Sequence, residues 1–222
     1  MRTRTKAAVG IGAAVVVVGG AAAIFGPGWY ADRAEEAAAD EPSLSASAAP
    51  AAGTDTTGTW AVSDGSYAGY RLDEVLQGED VTVTGRTEDV TGQVTISDSE
   101  VTEASIEVKV ATIATDSGNR DGYFRDNAIE AEKFPTATFE LTEPAALEAG
   151  ATEVELVGDL TVHGVTTSVT VEAEVGGDAD ALQVVGSVPI TFADFGVEAP
   201  NLGFVKVEDT GSVEFSLELA KG

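Results

Sequence analysis

The chain has 222 residues, no cysteine and a formal net charge of −26 at neutral pH. Without cysteine, disulfide bonds, thiolate metal sites and a cysteine nucleophile are excluded. Because so acidic a surface repels nucleic acid and anionic lipid headgroups, we expect no nucleic-acid partner. The length fits one domain with an extension.

An uncharged apolar run at residues 7–25 follows the basic N-terminus MRTRTK. A helix of that length spans about 28 Å, the thickness of a bilayer's hydrocarbon core. Basic residues before the run and acidic residues after it predict a single-pass cell-membrane anchor over 7–28. Residues 1–6 would be cytoplasmic and the C-terminal domain extracytoplasmic. A cleaved signal peptide, which would release a secreted protein, is the alternative; the length of the run and the following GPGWY favour the anchor.

Residues 29–58 are rich in Ala, Ser, Thr, Pro and acidic residues and have no periodic apolar positions. This composition predicts a disordered acidic tether. The tether would join the anchor to a folded domain at residues 59–222.

Apolar and polar residues alternate along many segments of residues 59–222, as in β-strands with one dry and one wet face. In the last of them, Val213 and Phe215 share one face, and Glu214 and Ser216 share the other. With the weaker runs, eight or more strands joined by short turns are predicted. Their number and single apolar face indicate an all-β fold, an antiparallel barrel closed on itself. A two-sheet sandwich produces the same alternation and stays open.

One segment, SGNRDGYFRDNAIEAEKFP at residues 117–135, interrupts the alternation. It predicts a short helical insertion with Asp116, Ser117 or Asn119 as N-cap and Pro135 as its end. We expect this insertion to cover one end of the barrel. Its SGNRDG motif lacks the carboxylates that a calcium loop needs at its first and twelfth places.

Three stretches, NRDGYFRDNAIEAEKFPTATF, GDLTVHGVTTSVTV and ITFADFGVEAP, follow one another between residues 119 and 200. In order and spacing they resemble the YceI-like, polyisoprenoid-binding proteins, and the resemblance extends over residues 60–219. It implies a lipocalin-like antiparallel barrel around a long apolar tunnel that holds an isoprenoid chain. The first strands depart from the family, because GSYAGYRLDEVL lacks the histidine that members often carry there.

If the dry faces point into such a barrel, ten apolar side chains are candidate tunnel lining and hence ligand-binding residues. They are Phe139, Leu141, Leu160, Val162, Val169, Val171, Ile190, Phe192, Phe215 and Leu217. The alternative is that these side chains fill the barrel, as they do in some small eight-stranded barrels. The protein would then be a structural or partner-binding module with a packed core and no ligand.

Two arginines of the helical insertion, Arg120 and Arg125, are candidates for contact with a polar or diphosphate headgroup at the tunnel mouth. Bidentate arginine contacts suit phosphate. Their structural alternative is pairing with Asp121, Asp126 or acidic residues of the barrel rim.

The single histidine, His163, lies at a strand end before Gly164, on the face opposite Leu160 and Val162. A zinc site needs three or four ligands, and catalysis needs a nucleophile with an orienting group. Neither constellation is present around His163, so we expect it to complete a turn by hydrogen bonding. DFG at residues 194–196 lacks every accompanying kinase motif and indicates a turn.

These features predict a membrane-tethered, extracytoplasmic lipid-binding module with no catalytic residue, no metal site and no cofactor. The expected partners are an isoprenoid or other long-chain lipid and, through the N-terminal helix, the membrane. An enzyme acting on a lipid is a further alternative, and a homodimer stays open.

Overall fold

The computed structural model describes Asp32 and residues 35–45, 54–148, 150–203 and 205–222. Eleven β-strands form the fold within these ranges. In chain order they are β1 (Gly58–Val62), β2 (Tyr67–Leu76), β3 (Glu79–Thr87), β4 (Val90–Ser97), β5 (Glu100–Lys109), β6 (Thr136–Leu141), β7 (Ala145–Ala146), β8 (Glu153–Val162), β9 (Val165–Gly177), β10 (Ala181–Thr191) and β11 (Val205–Lys221).

All pairings between these strands are antiparallel, and they close into a barrel with eight strand positions. β1 and β2 follow one another along β11 and occupy one position, and β3 and β4 occupy the next. β5, β6, β8, β9, β10 and β11 complete the ring, while the short β7 adds to one end of β5. The predicted barrel is therefore confirmed, and the sandwich alternative is not.

The two ends of the barrel differ. At the mouth end, β2, β5, β8 and β10 finish and β3, β6, β9 and β11 begin. At the floor end lie β1, β7 and the last residues of β11. The two long excursions between strands, residues 110–135 and 192–204, both leave and re-enter at the mouth end.

A short helix, α1 (Gly118–Tyr123), lies in the first of these excursions and continues into a π-helical turn, Phe124–Ala128. Ser117 occupies the N-cap position but makes no side-chain capping hydrogen bond. Instead, Asp121 orders the helix start by accepting hydrogen bonds from the backbone N–H and the hydroxyl of Thr115. The expected helical insertion is present, with 3₁₀ turns at Val110–Thr112 and Phe192–Phe195.

The inner face of β11 is buried, as its alternating sequence predicts, but part of its outer face is buried as well. Leu217 and Leu219 join the buried core, as the pattern indicates. Glu214 was expected on a wet face, yet its side chain is only 1% exposed and Ser216 is also buried. The expectation of a solvated outer face is wrong here, because another part of the chain covers these residues.

That cover is formed by residues 35–45, within the region assigned from composition to the tether. Arg71 and Arg86 both bind the Glu214 carboxylate, at 2.5 and 3.2 Å, and both also donate to backbone carbonyls of residues 39 and 40. The Ala39 N–H donates to the Thr84 hydroxyl at 2.8 Å. We call residues 35–45 the docked segment. Its polar contacts are with the backbone and arginines of the barrel, which explains why apolar periodicity did not indicate it.

No helix within the described residues is long and apolar enough to cross a membrane. The predicted anchor at residues 7–28 lies outside those residues, so the anchor stays a prediction.

Trp60 holds the floor end together, and its loss should destabilise the barrel. Its side chain is fully buried in the core, and its indole N–H donates to the carbonyl of Thr56 at 2.8 Å. We expect Trp60→Ala to lower the free energy of unfolding by about 3–5 kcal/mol through the cavity it creates. Trp60→Phe should cost less because most of the packing remains. Urea unfolding followed by circular dichroism measures both, and a cost below about 1 kcal/mol for Trp60→Ala would contradict this role.

Candidate functional site

The interior of the barrel contains a cavity of about 700 Å³ rather than a solid core. Its deep part is lined by Ile96, Val175, Leu182 and Leu219, which lie toward the floor end. Its other end reaches the helical insertion and the loop that precedes β11. The cavity therefore runs along the barrel axis and opens at the mouth end.

Nine of the ten predicted lining residues face this cavity. They are Phe139, Leu160, Val162, Val169, Val171, Ile190, Phe192, Phe215 and Leu217. Leu141 is the exception, because it packs against the core cluster without reaching the cavity wall. The alternation thus located the inner face, although it gave no signal for which inner residues border empty space.

Aromatic rings lie along the barrel wall, over glycines of neighbouring strands, and so do not fill the cavity. A Cβ atom on Gly186 would come within 2.6 Å of Cζ of Phe215, and one on Gly158 within 2.4 Å of Cζ of Phe139. The same relation joins Gly211 to Phe192. Since the ring occupies the space of the missing side chain, its bulk stays at the wall. The central lumen remains open as a result.

Polar groups on the cavity wall are concentrated at the mouth. Glu74 points inward from β2 and is only 5% exposed, among apolar neighbours on the same strand face. Its Oε1 accepts a hydrogen bond from Arg120 of α1 at 3.1 Å, and Arg120 also pairs with Asp116 at 2.5 Å. Arg120 is therefore at the mouth, as predicted, and is engaged by two carboxylates there. Gln77, Ser117, Asn119 and Glu198 also line the cavity at this end.

Arg125 is placed differently from the prediction. It does not line the cavity, and its guanidinium is about half exposed beside Asp126, with Nε 2.9 Å from Oδ1. A neighbouring carboxylate in sequence thus holds it on the outer surface. Of the two headgroup candidates, the geometry retains Arg120 alone at the cavity.

Tyr70 lies just below the polar mouth. Its ring stacks on Phe124 with centroids 4.9 Å apart and covers Gly85. Burial raises the pKa of its phenol above the usual range, so Tyr70 is neutral at physiological pH. Its uncharged side chain is part of the cavity wall.

His163 has the structural role expected of it. It adopts a positive φ of 52° in the turn between β8 and β9, outside the cavity lining. Its Nε2 lies 3.1 Å from Oε2 of Glu130, its Nδ1 lies 3.3 Å from the carbonyl oxygen of Phe195, and its ring meets Phe134 edge-on. The hydrogen bond with His163, aided by Lys133, holds the pKa of Glu130 below its usual range. His163 therefore ties three mouth-end segments together.

Two features of the site escaped the sequence analysis. Glu74 had a readable signal, since it is a carboxylate on the otherwise apolar face shared by Leu72 and Leu76. The cavity wall at Ile106 and Val108 also follows from alternation along β5. The described residues hold no group of three or more His, Asp or Glu side chains arranged for a metal ion.

The contact between Gly186 and Phe215 leads to a testable coupling. In Gly186→Ala the new methyl group should push the Phe215 ring off the wall and lower the free energy of unfolding by about 1–3 kcal/mol. On a Phe215→Leu background the same change should cost much less, since the ring is gone. Thermal unfolding of the four proteins gives the coupling, and additive costs would contradict the wall arrangement.

The pair formed by Glu74 and Arg120 leads to a second prediction. Arg120→Ala leaves a buried carboxylate without its main partner and should destabilise the protein by about 1–3 kcal/mol. Adding Glu74→Gln should restore part of the loss, because a neutral amide is less costly to bury than a charge. Thermal unfolding at neutral pH measures both, with Arg125→Ala as the exposed control. A double variant less stable than Arg120→Ala would contradict this account.

Comparison with known proteins adds sequence relatives to this geometry. The family profile described as the YceI-like domain matches residues 62–219. A UPF0312 protein of Shewanella denitrificans is 31% identical over 125 residues, which cover 52% of this chain and 64% of that protein. A UPF0312 protein of Vibrio parahaemolyticus is 31% identical over 124 residues, 52% of this chain and 65% of the relative. The chain thus spans a little under two thirds of the length of these relatives.

Solved structures share the fold at low sequence identity. A polyisoprenoid binding domain from Saccharophagus degradans, implicated in plant cell wall breakdown, has a TM-score of 0.59 and 20% identity, covering 75% of this chain and 99% of that one. BcnA of Burkholderia cenocepacia has a TM-score of 0.55 and 21% identity, covering 67% and 95%. The expected antiparallel barrel is therefore shared with known structures. Because the profile match covers well over half of the sequence, the chain belongs to the YceI-like family.

Proposed function

We propose that the protein binds and carries an isoprenoid or similar long-chain lipid in the barrel cavity, at the outer side of a cell membrane and without catalysis. The observation that carries this proposal is the open apolar cavity of about 700 Å³. The alternative from the sequence is a structural module with a packed core. Such a module is not expected to contain a large cavity, because empty volume in a core lowers stability.

The size and lining of the cavity suit an apolar chain. Small-molecule sites are commonly about 300–1,000 Å³ and mostly apolar. Burial gains about 0.8 kcal/mol per methylene-sized group, so a few five-carbon isoprene units gain on the order of 10 kcal/mol before the costs of ordering and association. The dry walls at Ile106, Val184 and Val213 provide the surface for that gain.

The polarity of the cavity gives the ligand a direction. Because apolar residues line the floor and polar residues line the mouth, the apolar tail would enter first and the polar end would stay at the mouth. Arg120 is already paired with Glu74 and Asp116, and Glu198 adds a further carboxylate. A diphosphate would have to displace these carboxylates. The mouth therefore favours an uncharged polar end, such as a hydroxyl group, which Tyr70 and Asn119 could meet by hydrogen bonding.

A structural relative supports the ligand class. The Saccharophagus degradans domain, which shares the barrel, is described as polyisoprenoid binding. At 20% identity the likeness concerns the fold, so the transfer of an isoprenoid ligand to this chain is part of the proposal. The membrane location rests on the apolar run at residues 7–25 and the basic residues before it.

The proposal includes no chemical step. Nucleophilic catalysis needs a nucleophile with a general base in reach, and the histidine of the chain lies outside the cavity, bound within a turn. At the mouth, Arg120 is paired with Glu74 and Asp116.

Filling the cavity from its wall tests ligand binding. Val169 faces the cavity and is only half-buried, so Val169→Trp can extend into empty space. Thr170→Trp is the matched control, because Thr170 is exposed on the outer face of the same strand. We expect Val169→Trp to reduce binding of a long-chain polyprenol at least tenfold, while the control binds as the unaltered protein does. Fluorescence titration, with organic extraction and mass spectrometry of co-purified lipid, measures this.

Stability separates the carrier from the packed module. In delipidated protein, Val169→Trp should unfold within about 1 kcal/mol of the unaltered chain, whereas overpacking of a solid core costs about 1–3 kcal/mol or more. No lipid in any of the proteins, together with a large loss of stability in Val169→Trp, would reject the proposal.

A further inference from the structure

Exposed large apolar side chains cluster at the mouth end. Within the described residues they are Tyr123, Val165 and Leu202, exposed by 37%, 37% and 53%. Tyr123 and Leu202 also border the cavity, and Val165 begins β9 at the same end of the barrel, close to Gly196. We call these three side chains the apolar rim of the mouth end.

The docked segment begins at this same end of the barrel. Glu35 binds the backbone N–H of Thr82, near the start of β3 at the mouth end. Ser45 binds the side-chain oxygen of Gln183, near the start of β10 at the floor end. The segment thus crosses the outside of the barrel from mouth to floor, with its first residue, Glu35, at the mouth end.

The length of chain before the docked segment limits how the barrel can stand on a membrane. Seven residue steps separate residue 28, the end of the predicted anchor, from Glu35, and a fully extended chain covers at most about 25 Å over them. The distance from Thr82 to the floor end, fifteen residues along β3 and β4, is roughly 40 Å after allowing for strand tilt. A barrel with its floor on the bilayer would exceed the reach of the chain.

Basic side chains at the mouth end are paired with carboxylates. Five of the eight Lys and Arg side chains within the described residues lie there, and each has a carboxylate within 4 Å. The pairs are Lys109 with Asp89, Arg120 with Glu74 and Asp116, Arg125 with Asp126, Lys133 with Glu130, and Lys206 with Glu208. These basic side chains offset part of the negative charge of an acidic protein at the end where the apolar rim is exposed.

From these observations we infer that the mouth end is a lipid-surface docking face. The rim of Tyr123, Val165 and Leu202 inserts into the bilayer interface, and the docked segment orients the barrel so that the cavity opens onto the membrane. This inference rests on the proposed membrane location. It gives the cavity a direct route for an apolar ligand between bilayer and barrel, without passage through water.

Because the sequence has no cysteine, a single introduced cysteine can be labelled specifically. In the full chain, Leu202→Cys at the rim and Asp180→Cys at the floor end each accept one environment-sensitive fluorophore. The proteins are reconstituted into phosphatidylcholine vesicles that carry a nitroxide lipid. We expect the label at residue 202 to be quenched several-fold more strongly than the label at residue 180. Equal quenching, stronger quenching at residue 180, or no quenching at either position would overturn the inference.

A second variant tests the docked segment. Ala39→Pro removes the N–H that binds Thr84 and should free the segment, so the ratio of quenching between the two positions should fall. Thermal unfolding checks that the barrel stays folded, and an unchanged ratio would reject the orienting role. Polyprenol binding is measured on the same proteins. If the protein binds polyprenol but both labels are quenched equally, the docking face is rejected and the carrier function is supported. If the label at residue 202 is quenched selectively but no polyprenol binds, the docking face is supported and the carrier function is rejected.

Discussion

Closure through β11 is the constraint on which the other features of the molecule depend. This strand pairs with β10 along its whole middle and C-terminal part, and its opposite edge pairs first with β2 and then with β1. Because β1 and β2 share one neighbour, the chain can break between them without opening the ring. Closure leaves the inner face without an edge, so every alternate residue is forced toward one enclosed volume.

Whether that volume is filled or empty depends on the wall. Large inner side chains could meet across an eight-stranded barrel, but Phe139 and Phe215 lie over Gly158 and Gly186 instead. The glycines accept the rings, and many of the remaining inner positions carry aliphatic side chains, among them Val169, Val184 and Ile190. The rings therefore lie along the wall, and the lumen stays open.

The sequence predicted the inner face well because alternation is a local property of each strand. The sequence pattern could not distinguish Val169 from Val171, because both occupy inner positions of the same strand. In the structure the Val171 side chain is 2% exposed, whereas Val169 is only half-buried. That difference depends on which strands lie opposite, a tertiary property. The burial of Glu214 was missed for a similar reason, since its cover comes from residues more than 160 positions away. No periodic pattern in the docked segment signals that contact, because it is made by backbone groups.

The buried cluster of Arg71, Arg86 and Glu214 links the exterior of the barrel to the proposed function. A buried carboxylate needs its arginines, and the arginines in turn need acceptors, which the carbonyls of residues 39 and 40 provide. An apolar outer face could also have packed against residues 35–45. Apolar contacts are not directional, however, and would not have specified one path for an extended peptide across the barrel. Because hydrogen bonds to fixed carbonyls are directional, the cluster fixes both the position and the direction of the docked segment. For the proposed membrane attachment this direction matters, since reversing it would place Glu35 at the floor end, away from the cavity opening.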